Sequence, residues 1–234
     1  MVEYFNRMKL PDFSYEKRLW KKGFRFVVGV DEVGRGAFAG PVVVGAIIFP
    51  PISFTRTKRS LQIDEASKID GINDSKLLKP RLREQLAREI KKKVLAWDVT
   101  EVGVSVINRI GIGKATAKAM RKTISDLARK GFPPDFVLVD YFYISYLRGL
   151  GLKSQKAIKH GDQKSFSIAA ASILAKVHRD KIMRSLARKP RYKVYGWGRN
   201  KGYGTKLHQK AILKYGLTRL HRKQFIETWK KGRF

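Results

Sequence analysis

Two short runs of β-branched residues, each finishing on a carboxylate, limit this chain more than any other feature. Arg25 to Asp31 reads RFVVGVD, and Phe136 to Asp140 reads FVLVD. Runs this apolar suit strands buried on both faces, as in an α/β sheet. An acid at the end of such a strand costs free energy unless it is paired or bound to a cation. The carboxyl ends of strands are also where ligands meet an α/β protein. Two strands that both end this way predict a site as well as a fold.

The rest of the chain fits around them. Pro41 to Phe49 (PVVVGAIIF) reads as a second strand, reached through a Gly-rich link from Glu32 to Gly40. Arg56 to Asp70 is a polar, charged loop. Pro80 opens a helix whose Leu82, Leu86, Ile90 and Val94 recur every fourth residue. Leu95 to Val106 alternates enough for another strand, and Ile112, Thr116, Ala119, Met120, Thr123, Ile124 and Leu127 outline a second amphipathic helix. Gly131 and the Pro133–Pro134 pair end that helix. Ser154 to Lys159 suits a fifth strand, and the pattern is helical from Ser165 to about Lys189. Shorter helices follow a Gly/Tyr-rich loop at Tyr195–Gly204. Strands first and helices later predict an α/β core with a helical C-terminal region.

Charge narrows the function. The chain has 234 residues with 51 Lys and Arg against 19 Asp and Glu, a net of +32. Self-repulsion on this scale makes sense mainly when the usual partner is a polyanion. Residues 163–234 hold 20 basic and only 2 acidic residues, Asp180 and Glu227. We therefore expect residues 1–162 to form the core and 163–234 a basic helical region packed on it as one unit. The absence of cysteine excludes disulfides and Cys-ligated metals. Four histidines, none spaced i, i+4, argue against a His-built zinc site. The uncharged stretch Ala37 to Ser53 is broken by Gly40, Pro41, Gly45, Pro50 and Pro51, so no spanning helix is expected. No signal-peptide-like block precedes Phe26. The expected protein is soluble and cytoplasmic.

Asp31 and Glu32 at one strand end, Asp140 at another and Asp162 before a helix are the candidate site acids. Each has a duller reading: Asp162 as a helix cap, Asp140 as a turn residue, Asp31 as the partner of one of many cations. Together, in a basic protein, four acids suit hard cations such as Mg²⁺ or Mn²⁺, which prefer carboxylate oxygen. Two such ions could activate water and stabilise the leaving oxygen of a phosphodiester. The loop Gly34-Arg35-Gly36-Ala37-Phe38-Ala39-Gly40 is not a dinucleotide fingerprint, because a strand rather than a helix follows it. Gly111 to Thr116 is not a phosphate-binding P-loop, because Asn108 and Ala115 stand at required Gly and Ser/Thr positions. On residues alone, a metal-dependent nuclease competes with a non-catalytic nucleic-acid binder and with a transposase- or integrase-like enzyme.

Four motifs, in order, resemble the ribonuclease HII family, the type 2 ribonucleases H. They are Val28-Gly29-Val30-Asp31-Glu32-Val33-Gly34-Arg35-Gly36; Asn73-Asp74-Ser75-Lys76; Gly161-Asp162 with Ala169-Ala170-Ala171-Ser172-Ile173-Leu174-Ala175-Lys176; and Lys201-Gly202-Tyr203-Gly204-Thr205. The resemblance implies a ribonuclease H-like α/β fold, with a mixed five-stranded sheet flanked by helices. It implies hydrolysis of the RNA strand of RNA–DNA hybrids, and cleavage 5′ of single ribonucleotides embedded in duplex DNA. Those two duplexes would be the partners, the protein would act as a monomer, and the cofactors would be two divalent cations, Mg or Mn. By position, Asp31, Glu32, Asp140 and Asp162 match the family's metal-binding carboxylates. Gly34, Arg35 and Gly36 match the loop that reads the ribose 2′-hydroxyl, Tyr203 a stacking tyrosine, and Lys76 a lysine near the scissile phosphate. The chain departs from the family at Tyr141-Phe142-Tyr143, where Gly usually follows the third acid, and in the long Arg56–Asp70 loop. Ribonuclease HIII carries an extra N-terminal domain, for which the roughly 25 residues ahead of the first strand are too few.

Overall fold

The computed structural model describes residues 10–51 and 69–232. Its elements run α1 (Ser14–Trp20), β1 (Val27–Val33), β2 (Val42–Ile48), α2 (Pro80–Lys93), β3 (Ala96–Val102), α3 (Val104–Ile110), α4 (Ile112–Arg129), β4 (Phe136–Asp140), β5 (Gln155–Ile158), α5 (Phe166–Ala187), α6 (Trp197–Asn200), α7 (Lys206–Tyr215) and α8 (Lys223–Lys230). The five strands form one mixed sheet in the order β3-β2-β1-β4-β5. β1 pairs antiparallel with β2, and β2 with β3. β4 lies parallel to β1, and β5 parallel to β4. The α/β expectation is met, and the sheet is covered on both faces.

Alternation along the strands sorts the core into two layers. Val28 and Val30 of β1, with Val137 and Val139 of β4, face a layer closed by Ala115, Ala119, Ile124 and Leu127 of α4. Val27, Ile47 and Leu138 point the other way, against Leu86 and Ile90 of α2 and Ile168 to Leu174 of α5. The first ten residues of helix α5, Phe166 to Ala175, are all buried, which suits a helix end packed inside the molecule. It comes unusually close to the sheet. A methyl group built on Gly29 would overlap Ser167, and one on Gly45 would overlap the carbonyl of Ala171. Ala169, Ala170 and Ala171 are all fully buried at this contact. Small residues on both sides let two backbones meet.

Helix α1 was not legible in the sequence. Phe13, Leu19 and Trp20 bury themselves in the α2/α5 layer. Glu16 accepts hydrogen bonds from the hydroxyls of Ser165 and Ser167, both 2.6 Å, and from the Ser167 amide, 3.0 Å. This ties α1 to the first turn of α5. Burial raises the Glu16 carboxyl above its usual range despite those donors.

One boundary needs correcting. The strand expected over Leu95–Val106 stops at Val102, and Gly103 is the cap residue of α3. Val104 and Ile107, three apart, turn inward as a helix face. Gly111, at φ 79°, separates that helix from α4. The Arg56–Asp70 loop falls outside the described residues except at Ile69 and Asp70.

The C-terminal helices enclose a small aromatic core of their own, with Tyr192, Tyr195, Trp197, Ile212 and Ile226 packed around Phe38. Phe38 belongs to the link between β1 and β2. The amides of Phe38 and Ala39 both donate to the Gly202 carbonyl (2.8 and 3.0 Å), and the Gly40 amide donates to Leu220 (3.0 Å). The Gly-rich link is therefore held between the sheet and the C-terminal helices.

Gly45→Ala should test the close approach of α5. Its methyl has only backbone to displace, so we expect a loss of at least about 2 kcal/mol. The urea midpoint should fall with an unchanged slope; an unaltered midpoint would show that α5 can retreat freely.

Candidate active site

The nine residues singled out from the sequence, Asp31, Glu32, Gly34, Arg35, Gly36, Lys76, Asp140, Asp162 and Tyr203, all line one open cavity of about 540 Å³. They come from five separate stretches of chain. β1 carries Asp31 and Glu32, and β4 ends on Asp140. Because the two strands are parallel neighbours, their acids emerge at the same edge. Asp162 sits in a single 3₁₀ turn, Gly161–Gln163. It does not cap α5; that role falls to Ser165, whose hydroxyl accepts from the Ile168 amide. The Gly161 amide donates to Asp140 Oδ1 at 2.7 Å, so the fourth acid's turn is pinned to the third acid.

Asp31 shares a face with Gly29 and lies opposite Gly45, under α5. It is 4% exposed. Burial pushes its carboxyl well above the usual range, and the negative charges of Glu32, Asp140 and Asp162 push further, against a hydrogen bond with Ser172. Glu32 is pushed up to about 7 by burial, with Asp140 adding and Arg35 opposing. Asp162 is raised too, by burial and then by Asp74 and Asp140, against Lys76. Glu32 keeps one buried carboxylate oxygen, Oε2, without a hydrogen-bond partner. No three His, Cys, Asp or Glu side chains among the described residues close tightly enough to enclose a cation. The acids ring an open space instead. A set of buried, mutually repelling carboxylates with an unpartnered oxygen fits hard divalent cations by its donor chemistry.

Cations border the acids. Lys76 Nζ lies 3.7 Å from Asp162, and its side chain is 77% exposed. Burial works against its charge, but Asp162, Asp74 and the other acids hold its pKa above the usual value. The turn that carries it is docked firmly. Ser75 Oγ meets Ser172 Oγ of α5 at 2.9 Å, Asp74 accepts from the Lys76 amide at 2.9 Å, and Arg83 donates to the Ser75 carbonyl at 2.7 Å. Arg35 stands 3.6 Å from Glu32, with its guanidinium over the Phe142 ring at 4.2 Å.

Two further residues shape the site and were missed in the sequence: Arg179 of α5 and Arg222. Both are fully buried, and both grip the link between β1 and β2 by its carbonyls. Arg179 donates to Pro41 and Ala39 (3.0 and 3.2 Å), and Arg222 donates to Arg35 (2.8 Å) and twice to Gly40 (3.1 and 2.9 Å). Arg179 also lies 5.2 Å from the Tyr203 ring centroid. Gly34, at φ 91°, leaves the room that the Arg179 side chain fills. Burial lowers the pKa of both guanidiniums, yet their intrinsic basicity keeps them charged near neutrality. Two buried cations among 51 basic residues carry no mark in the sequence.

A mixed five-stranded sheet, acids at two adjacent strand ends and a cationic rim define a phosphodiester hydrolase of ribonuclease H-like architecture. Comparison with known proteins narrows the class. The family model for ribonuclease HII matches residues 28–228. Ribonuclease HII of Caldicellulosiruptor saccharolyticus is 42% identical over 215 residues, covering 92% of this chain and 94% of that protein. The Bacillus subtilis enzyme of the same name is also 42% identical, over 91% of this chain and 74% of its own length. Among solved structures, ribonuclease H2 from Pyrococcus horikoshii superposes with a TM-score of 0.62 at 23% identity, covering 88% of this chain and 99% of that one. Bst-RNase HIII in complex with Mn²⁺ gives 0.66 at 23% identity, over 88% of this chain and 68% of its own. The chain belongs to the ribonuclease HII family, and its activity is endonucleolytic hydrolysis of RNA in RNA–DNA hybrids.

The raised carboxyls give a testable sign. A carboxyl whose folded pKa exceeds its unfolded value contributes most below the unfolded pKa and loses that contribution as pH rises through the folded one. For Glu32 that window runs from 4.5 to about 7. In EDTA, stability should therefore fall as pH rises through this window. Urea titrations of Glu32→Gln should show a clearly shallower fall. An identical profile in both proteins would mean Glu32 is not held protonated.

Proposed function

We propose that Asp31, Glu32, Asp140 and Asp162 are the catalytic carboxylates and that they hold two divalent cations, Mg²⁺ or Mn²⁺. The observation that carries this reading is the convergence of all four acids, with Lys76, Arg35 and Tyr203, on one open cavity. When bound, such cations supply positive charge for the phosphoryl oxygens and acidify a water for attack. The Bst-RNase HIII neighbour is described in complex with Mn²⁺, which agrees with an oxygen-ligand site. No helix among the described residues is long and apolar enough to cross a membrane.

The chain's own residues do the rest. Asp31, rigidly seated under α5, fixes the position about which the other acids gather. Asp140 orders Asp162 by accepting the Gly161 amide. Lys76 extends from its docked turn with room to approach a phosphate oxygen. Around Gly36 a methyl group would meet no protein atom within 4 Å, which leaves space for a ribose edge to approach the backbone. The Gly34-Arg35-Gly36 loop thereby reads the 2′-hydroxyl, the group that separates RNA from DNA. Tyr203, half-buried and backed by Arg179, offers a ring face for stacking on the nucleotide beyond the cut. Residues 1–162 and the basic region 163–234 act as one unit, the second supplying phosphate contacts that carry no sequence preference. Cleavage falls on the 5′ side of a ribonucleotide, including a single one within duplex DNA.

The decisive experiment uses a labelled DNA duplex with one ribonucleotide, in Mg²⁺, Mn²⁺ or EDTA. We expect a cut 5′ of the ribonucleotide with metal, none in EDTA, and a loss of about a thousandfold or more in Asp31→Asn. Unimpaired Asp31→Asn turnover would remove that residue from the mechanism. Tight binding without a cut in either metal would turn the reading into that of a non-catalytic binder. In EDTA, log affinity should fall linearly with log salt, by about 0.9 per phosphate contacted; a flat response would show that the basic region is not the binding surface.

A further inference from the structure

Directly after Asp140 the chain reads Tyr141-Phe142-Tyr143-Ile144-Ser145-Tyr146-Leu147. Ile144 and Leu147 turn into the α4-side core, while the four aromatic residues stay outside. Tyr146 is 93% exposed, Tyr143 54%, Tyr141 53% and Phe142 41%. Aromatic rings left in water at this density are uncommon and call for a partner. The loop that carries them is not loose. Buried Gln155 of β5 accepts from the Ile144 amide and donates to the Ile144 carbonyl (3.0 and 3.1 Å), and Arg121 of α4 donates to the Ser145 carbonyl at 2.9 Å.

The backbone makes the arrangement more unusual. Tyr141 has φ 69° and Tyr146 has φ 56°, a left-handed region that bulky side chains rarely adopt. Glycine would relieve both positions. Neither ring is buried in exchange, so folding gains nothing visible from a tyrosine there. Strain without compensating burial points to function.

We propose that this aromatic shelf is a binding surface for the RNA strand of the hybrid, next to the cleavage cavity. The inference rests on the reading of that cavity as the cleavage site and extends it to substrate selection. Two observations join shelf to cavity. Tyr141 follows Asp140 in the chain, and Phe142 carries Arg35, a cavity residue, on its face at 4.2 Å. The chemistry also matches. An A-like duplex shows a wide, shallow minor groove lined with sugar faces and 2′-hydroxyls. Flat exposed rings pack on such faces, and a phenol both donates to and accepts from a hydroxyl. Arg35, held on the Phe142 ring, suits a flanking phosphate. Single ribonucleotides would use the Gly34–Gly36 loop; runs of ribonucleotides would use the shelf as well.

The test is binding in EDTA, read by anisotropy, of a labelled RNA–DNA hybrid and of a DNA duplex of equal length. Tyr141→Gly, Tyr143→Ala and Tyr146→Gly are compared with the wild type, with thermal midpoints measured alongside. We expect each of Tyr141→Gly and Tyr143→Ala to weaken hybrid binding by about fivefold or more. The DNA duplex should lose less than about twofold, and the Tyr141→Gly midpoint should match or exceed the wild type. A merely structural tyrosine would lower the midpoint. Unchanged hybrid binding, equal losses on both duplexes, or a lowered Tyr141→Gly midpoint would each overturn the proposal. If the wild type binds the hybrid but fails to cut it in Mg²⁺ or Mn²⁺, the reading of the cavity fails. If it cuts while the variants bind normally, only the shelf fails.

Discussion

The contact between α5 and the β1–β2 pair is the constraint on which the rest of this molecule depends. Gly29 and Gly45 remove side chains where the helix backbone arrives, and three consecutive alanines remove them from the helix side. The helix then lies low enough for Ser172 to meet both Asp31 and the Ser75 hydroxyl of the Lys76 turn. It also brings Arg179, two turns further on, against Gly34. The deepest acid, the lysine turn and the Gly-rich link are thus all measured from one helix. A shift of α5 outward would loosen all three together.

The second organising interaction is the pair of buried guanidiniums. Among the described residues Arg179 and Arg222 make no salt bridge; they donate to main-chain carbonyls of the link between β1 and β2. Burying a cation on such partners is costly. What it achieves is register: α5 and the start of α8 grip the same short segment from two directions. Through Phe38 and the Gly202 carbonyl the grip reaches the loop that carries Tyr203. The C-terminal helices are therefore not an appendage to the sheet, because the link that carries Arg35 is built partly from them.

The main strands and the helices α2, α4 and α5 were legible because their signals are local. Apolar runs bounded by Gly and Pro marked β1, β2 and β4, and fourfold spacing marked α2. The nine candidate site residues meet in one cavity because Asp31, Glu32 and Asp140 lie near the ends of strands that became parallel neighbours, while turns and loops bring in Lys76, Asp162 and Tyr203. What was hidden depends on distant partners. Helix α1 is short, and its Glu16 makes sense only once Ser165 and Ser167 stand above it. The strand expected to reach Val106 read an alternation that Gly103 interrupts with a helix start. Arg179 and Arg222 look like any other basic residues until folding encloses them. Tyr141 was visible as an oddity, but its left-handed backbone was not.

Charge explains why such a site sits in so basic a protein. Four acids at one edge of a sheet would repel a phosphodiester if they stood alone. Here Lys76, Arg35, Arg83 and Lys176 line the same cavity, so the field a substrate meets there is mixed rather than negative. Arg83 and Lys176 are themselves held by Asp180, at 3.4 and 2.9 Å, rather than paired with the cavity acids. The wider surplus of positive charge favours the approach of a polyanion, and the cavity lining carries both signs. Burial first, and mutual repulsion after it, keeps the Asp31, Glu32 and Asp162 carboxyls raised, and the nearby Arg35 and Lys76 fall short of offsetting it. That shortfall suits a site whose charge is meant to be completed by divalent ions and substrate, and a lysine placed deeper in the cavity would stabilise the fold at the expense of the chemistry.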